Sequence, residues 1–330
     1  MIQDAGSARS GDQPLVSVII PAFNVAKYIN RTLASVCEQT YPHVEIIVID
    51  DGSTDETADI AKSFGDPRII YHRQENAGQG PARNHGMRLA RGDFITFLDA
   101  DDYYLPSKIE EQVLALLEHP EPSACYCSIL NFYSDRPTEL LAKYRGYSGN
   151  IFPKLMTFST FVQPNTLMIR RQVMDVVGFW NETRYYPEDW EYSLRIAKAG
   201  FSFHFIDKAL VAVELRPGSN TTMDIQWILK SNLLSLIYSL SKEMSESEKQ
   251  EYGIPKLIES TKMKLAAAYL IVGNRRKYAR TVMSMKNLLL AIPSGLFIPV
   301  MWLMPIGVVQ RTAVSLWKWH TRRSFAAAAV

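Results

Sequence analysis

Four short apolar runs alternate with stretches of helical periodicity over the first hundred residues, and that alternation leaves few folds open. The runs are LVSVII (15–20), VEIIVID (44–50), RIIYH (68–72) and DFITFLD (93–99). A strand buried on both faces reads as a continuous apolar run, whereas a half-exposed strand alternates. Between the runs, Ile29, Leu33, Val36 and Cys37 share one helical face. DGSTDET (51–57) sets Ser53 and Glu56 at capping-box spacing before a second helix, and GPARNHGMRLARG (80–92) begins on Gly-Pro and stops on Gly as a third. The pattern predicts an α/β fold: a mixed, mostly parallel sheet with helices on both faces.

Parallel topology has a chemical consequence, because ligands bind in such sheets at the carboxyl ends of the strands. Three strand ends carry polar groups: Pro21-Ala22-Phe23-Asn24, Asp50-Asp51-Gly52-Ser53 and Asp99-Ala100-Asp101-Asp102. Three carboxylates within four positions, directly after FITFL, suit an open site for Mg²⁺ or Mn²⁺, which takes one or two carboxylates together with substrate phosphates. One of Asp50 and Asp51 is placed to accept hydrogen bonds from a base N–H or a ribose hydroxyl. Arg83, reached through NAGQGPAR (76–83), is placed to meet a diphosphate. Each has a structural reading as well: solvated acids, a turn with a helix cap, a surface arginine. No G-x-x-x-x-G-K-[ST] follows a strand and no G-x-G-x-x-G does, which disfavours P-loop and dinucleotide-binding readings.

Further along, Pro106–His119 reads as an amphipathic helix, and 123–133 and 166–171 as strands. PEDWEYSLRIAKAG (187–200) is a helix with acids in its first turn and Gly at its stop, and FSFHFI and ALVAVEL follow as two strands. Cys37, Cys125 and Cys127 have neither a disulfide framework nor metal-site spacing, so they are expected to be buried and reduced. The first 14 residues lack an apolar signal-peptide core and are expected to form a flexible tail, with the globule in the cytoplasm.

The blocks VSVIIPAFNVAKYINRTLASVCEQTYPHVEIIVIDDGSTDET (16–57), NAGQGPARNHGMRLARGDFITFLDADD (76–102) and YYPEDWEYSLRIAKAG (185–200) resemble family 2 glycosyltransferases in order and spacing. The resemblance covers about residues 15–220. It implies a GT-A fold over 15–222, a nucleotide-diphosphate sugar donor, a divalent metal (Mn²⁺ or Mg²⁺) and inversion at the anomeric carbon. By the same resemblance Pro21, Phe23 and Asp51 hold the nucleotide, Asp99 and Asp101 meet the ribose and the metal, and Glu188-Asp189 supplies the general base, with Asp189 preferred. Without the resemblance, those two acids would read as compensating a helix dipole. Many relatives carry a histidine near the diphosphate after the last strand. Here LRPGSNTT (215–222) offers only Arg216, a weak diphosphate candidate. Trp190 is a weak candidate for stacking on an acceptor sugar, although a Trp in an amphipathic helix is more often a packing residue; His204 reads as packing. The acceptor is expected to be a hydroxyl of a cell-surface glycan or lipid-linked precursor. A sugar-phosphate nucleotidyltransferase is the catalytic alternative, although PAFNVAKY is not the glycine-rich loop such enzymes place after strand one. A non-catalytic glycan- or lipid-binding module is the third reading.

Charge is divided unevenly along the chain. Residues 1–222 hold 21 Lys/Arg against 28 Asp/Glu, and residues 223–330 hold 15 against 6. No acid follows Glu259, while 11 Lys/Arg do. Between Lys286 and Arg311 lie 24 uncharged residues, NLLLAIPSGLFIPVMWLMPIGVVQ, about 36 Å long if helical. Pro293, Pro299 and Pro305 argue against a straight span. Residues 223–330 are therefore expected to form a basic helical extension on an anionic membrane surface, at the cytoplasmic face of the plasma (inner) membrane, peripheral or monotopic, with lipid favoured over nucleic acid as its polyanion.

Overall fold

The computed structural model describes residues 13–121, 123–133, 136–141, 146–156, 159–183, 188–215, 233–242, 244–272 and 274–284. β1 (Val16–Ala22) and β2 (Val44–Asp50) are buried at every position, as their unbroken apolar composition requires. With β3 (Ile69–Arg73) and β4 (Phe94–Phe97) they form the parallel half of one nine-stranded sheet. The other half contains β5 (Tyr103–Tyr104), β6 (Ala124–Tyr133), β7 (Arg136–Leu141), β8 (Met168–Arg170) and β9 (Phe203–Leu215). The order is β3-β2-β1-β4-β8-β6-β9-β5, with β7 beside β6. β8 runs antiparallel to both β4 and β6, and β6 and β9 are parallel.

Strand side chains alternate between two cores, one on each face. Val18, Ile20, Ile46 and Val48 pack with α1 (Ile29–Cys37) and α4 (Lys108–Glu118), through Leu33, Val36, Ile109 and Val113. Ile19, Ile47, Ile95 and Phe97 face α3 (Gln79–Leu89) and α7 (Glu188–Lys198), through Met87, Trp190 and Leu194. The second core continues into the basic extension. Leu233, Leu236, Ile237, Met244, Ile254 and Leu257 join it, and Tyr252 meets Phe152 edge-on at 5.4 Å.

Several expectations change. Ser53 caps no helix: α2 (Thr57–Ser63) begins after Glu56 without a side-chain cap, and Ser53 Oγ accepts from the Asn24 backbone N–H at 3.0 Å. The turn is held across strands, which the capping-box spacing does not reveal. The two strands expected over 201–215 are one, β9, with its register shifted opposite Cys127–Ile129, so that the polar Asp207-Lys208 step interrupts pairing without ending the strand. β7, α5 (Phe152–Met156) and α6 (Arg171–Val177) have no periodicity long enough to be seen in sequence. Among the described residues no helix is long and apolar enough to cross a membrane, and the 287–310 segment lies outside them.

Candidate active site

β1, β2 and β4 are neighbours and parallel, so their carboxyl ends lie side by side. At the end of β2 the two adjacent acids divide the work. Asp50 is fully buried and closes its own turn, accepting from Ser53 N–H at 2.8 Å and from the Tyr71 hydroxyl at 2.6 Å. Burial opposes its charge, but those hydrogen bonds outweigh it and hold Asp50 below the usual carboxylate range. Asp51 points the other way and gathers segment 74–78, accepting from Gln74 Nε2, Ala77 N–H and Gly78 N–H at 2.7 to 2.9 Å. Gly52, at φ +81°, lets the turn pass so close to that segment that an added Cβ would sit 3.0 Å from Asn76 N. At the end of β1, Phe23 is 47% exposed on the rim, whereas Pro21 is buried within the strand, beyond the reach of β4.

The turn after β4 is braced from two sides. Asn165 accepts from the Asp99 N–H at 2.9 Å and gives its amide to the buried Asp102 carboxylate. Arg31, from α1, donates to Asp101 O at 3.0 Å and to Glu214 at 2.8 Å. Of the three clustered carboxylates, Asp102 thus belongs to the scaffold, while the Asp99 and Asp101 side chains remain partly exposed. Asn165 sits one turn before β8, whose antiparallel pairing carries it to the end of β4.

Arg83 ties this turn to α7. Its side chain is 1% exposed, yet it meets three acids: Asp99 at 2.9 Å, Glu188 at 2.7 Å and Asp189 at 3.6 Å. The guanidinium also lies 5.1 Å from the Trp180 ring, which itself stacks on Tyr192. Burial opposes the Arg83 charge, but the three carboxylates outweigh it and raise its pKa. Three acids share one cation, so the acids are under-compensated. Desolvation first, then the neighbouring carboxylate charges, raise the pKa of Glu188, and Asp189 is pushed up to about 7, with Arg83 opposing both shifts. Asn84 holds the loop after α6 by exchanging hydrogen bonds with the Trp180 backbone at 2.8 and 2.9 Å. α3 packs so tightly against that loop that a Cβ on Gly80 would lie 2.6 Å from Asn181 O.

Asp51, Asp99, Asp101, Glu188 and Asp189 therefore border one edge of the sheet, and Arg83 is turned into the acids. Trp190 is buried, with its indole N–H on Leu155 O at 2.8 Å, and packs in the core rather than facing the cleft. Arg216 lies outside the described residues. Asn84, Asn165 and Trp180 escaped the sequence reading, because a lone polar or aromatic residue in a loop has no periodicity to mark its partner. Among the described residues no group of three or more His, Cys, Asp or Glu is gathered to hold a metal by protein alone. Asp99 and Asp101, both partly exposed, offer the oxygen donors that a hard divalent cation takes.

A profile described as "Glycosyl transferase family 2" matches residues 17–178. The Bacillus subtilis (strain 168) protein TuaG, named for teichuronic acid biosynthesis, is 42% identical over 227 residues, 65% of this chain and 84% of its own. Two uncharacterized Rickettsia glycosyltransferases are 33% and 32% identical, and the chain spans just under two thirds of their lengths, 64% and 66%. Among solved structures, S. aureus TarS 1–349 in complex with UDP-GlcNAc aligns with a TM-score of 0.57 at 18% identity, covering 81% of this chain and 88% of that one. The mannosyltransferase PcManGT from Pyrobaculum calidifontis, in complex with GDP-Man and Mn²⁺, aligns with a TM-score of 0.60 at 17% identity, covering 97% and 86%.

Proposed function

The chain belongs to glycosyltransferase family 2, and from that membership we propose that it moves one sugar from a nucleotide-diphosphate donor to a hydroxyl of a cell-surface glycan or lipid-linked precursor, with inversion. One observation supports the reading: Arg83 joins Asp99, which the reading assigns to the donor, to Glu188 and Asp189, which it assigns to the acceptor, in a single cluster. The UDP-GlcNAc and GDP-Man held by the two solved neighbours support a nucleotide-sugar donor and leave the base open.

In this reaction the acceptor oxygen forms a bond to the anomeric carbon as the bond to the diphosphate oxygen breaks. The acceptor proton passes to Asp189, whose raised pKa gives it the basicity for that task. Glu188 stays paired with Arg83 and holds the start of α7 against α3. Asp99 and Asp101 would hold Mg²⁺ or Mn²⁺, which supplies charge neutralisation at the departing diphosphate. Attack opposite the leaving group needs no covalent intermediate, which supports inversion.

Replacing Asp189 by Asn tests the assignment. Donor binding, measured by calorimetry, should be retained while kcat falls by about 10²–10⁴. An Asp189→Asn enzyme turning over normally would remove Asp189 from the base role. We also propose that residues 223–330 carry the enzyme to the cytoplasmic face of an anionic membrane, where a lipid-linked acceptor would be found. The 11 Lys/Arg after Glu259 support this, since each basic residue near such a surface contributes about 1 kcal/mol.

A further inference from the structure

Behind Asp51 runs a chain of polar side chains that reaches the middle of α3. A carboxylate only accepts hydrogen bonds, so the Gln74 amide must turn its NH₂ group to Asp51 Oδ1, which it meets at 2.7 Å. Its carbonyl Oε1 then points away and meets His85 Nδ1 at 2.8 Å. An amide oxygen also only accepts, which puts the His85 proton on Nδ1. Both ends of the chain are fixed. Gln74 N–H is bonded to Asp50 O at 2.9 Å, and His85 is held on α3 between Gln74 and His72, whose ring lies 5.7 Å away.

The consequence falls on Asp51. Its four lone-pair positions are all taken: Oδ1 by Gln74 and Ala77 N–H, Oδ2 by Gly78 N–H and Asn76 Nδ2. An arriving donor must displace one of them. Two are backbone groups of the turn into α3, and Gln74 is locked by His85. Asn76 makes the longest bond, 3.2 Å, and its amide has a second acceptor in Asp51 O at 3.0 Å.

We propose that His85 and Gln74 are positioning residues for a nucleoside subsite: the His85 Nδ1–H fixes the Gln74 amide, Gln74 fixes the Asp51 carboxylate, and Asn76 is left as the donor that yields to a nucleobase ring N–H. The ligand class is a nucleotide whose base carries such an N–H on its pairing edge, uracil or guanine rather than adenine or cytosine. This rests on the reading that Asp51 faces the nucleoside.

The test is calorimetry of the full-length protein with UDP, GDP, ADP and CDP in the presence of Mn²⁺, with melting curves confirming that each variant is folded. Wild type should bind UDP or GDP. His85→Leu should weaken that binding about tenfold, the scale of one buried hydrogen bond. His85→Asn should restore it, because an Asn amide can donate from near the Nδ1 position. Gln74→Leu should cost as much as His85→Leu, and the double variant no more than Gln74→Leu alone, since both cut one chain. In turnover the loss should appear in KM for the nucleotide sugar, with kcat unchanged. Asp51→Asn separates the two levels. If Asp51→Asn binds as wild type, or wild type binds none of the four diphosphates, the nucleoside reading falls and takes this inference with it. If Asp51→Asn is weak but His85→Leu binds normally, if Asn fails to rescue, or if the two losses multiply, only the His85–Gln74 chain is wrong.

Discussion

Two buried cations in this fold have opposite fates. Arg83 keeps its charge because three carboxylates surround it, and it sets the working range of Asp189. Transfer needs Asp189 deprotonated, so activity should rise as pH passes upward through about 7. Arg83 lowers the Asp189 pKa against burial and the neighbouring acids, so a neutral Arg83→Gln should move the rising limb to higher pH. A pH–rate profile that shifts the other way, or not at all, would show that the guanidinium does not tune the base. Among the described residues no carboxylate pairs with Lys108: its Nζ donates to Thr96 Oγ1 at 2.6 Å and lies 3.9 Å over the Tyr104 ring. Burial depresses its pKa to about 7. In the unfolded chain a lysine holds its proton to about pH 10.4. Above pH 7 the unfolded state therefore binds the extra proton, and the Lys108 contribution to stability improves as pH rises. Relative to Lys108→Met, wild type should gain urea resistance between pH 7 and 8.5. Met should be neutral or stabilising at pH 7, because it removes a buried group that burial penalises when charged. Both behaviours depend on neighbours that residue type alone does not name.

At the scale of the element, α3 is the hinge between scaffold and chemistry. Two of its glycines face different ways. A Cβ on Gly86 would lie 2.4 Å from Ile19 Cγ2, against the sheet, and a Cβ on Gly80 would lie 2.6 Å from Asn181 O and 3.3 Å from Glu188 Oε2, against the site. Gly86→Ala should therefore lower stability, by about 1–3 kcal/mol of overpacking, and leave kcat of the folded enzyme near normal. Gly80→Ala should lower stability as well, because its Cβ meets backbone at Asn181 O, and should in addition lower kcat by tenfold or more, since displacing a catalytic group by about 1 Å can cost 10². Steady-state kinetics on folded protein separate the pair, and equal kcat for the two variants would contradict the division. The start of this helix was legible from Gly-Pro, whereas it stops at Leu89, three residues before the expected Gly92. The acids it holds were not, because Arg83 and Glu188 are 105 positions apart and no period links them.

For the whole molecule, the basic extension begins as part of the core. Two of its helices, Leu233–Ser241 and Ile254–Ile271, place Leu236, Ile237, Ile254 and Leu257 in the core that also holds Trp190 and Phe152. Ending the chain at 232 should expose that apolar face and give an aggregating protein, whereas ending it at 284 should leave a folded domain that binds nucleotide and floats more weakly with anionic vesicles, since it keeps six of the 11 basic residues. Full-length protein should lose vesicle binding as salt rises, because the attraction between lysine or arginine and lipid phosphate is screened. Flotation that persists in high salt would mean that the attachment is not electrostatic. By itself the sequence determined the alternating strands and helices and the carboxylates at the strand ends, because period-two and 3.6-residue burial are local and parallel strands end on one side. The tertiary structure alone decided which carboxylates were free for chemistry. Asp50 closes its own turn, Asp102 serves Asn165, Asp51 is wrapped by segment 74–78, and Asp189 is left beside two other acids sharing one cation. A charge is governed by desolvation and by the partners within a few ångströms, and the chain supplies those partners from positions that no local pattern connects.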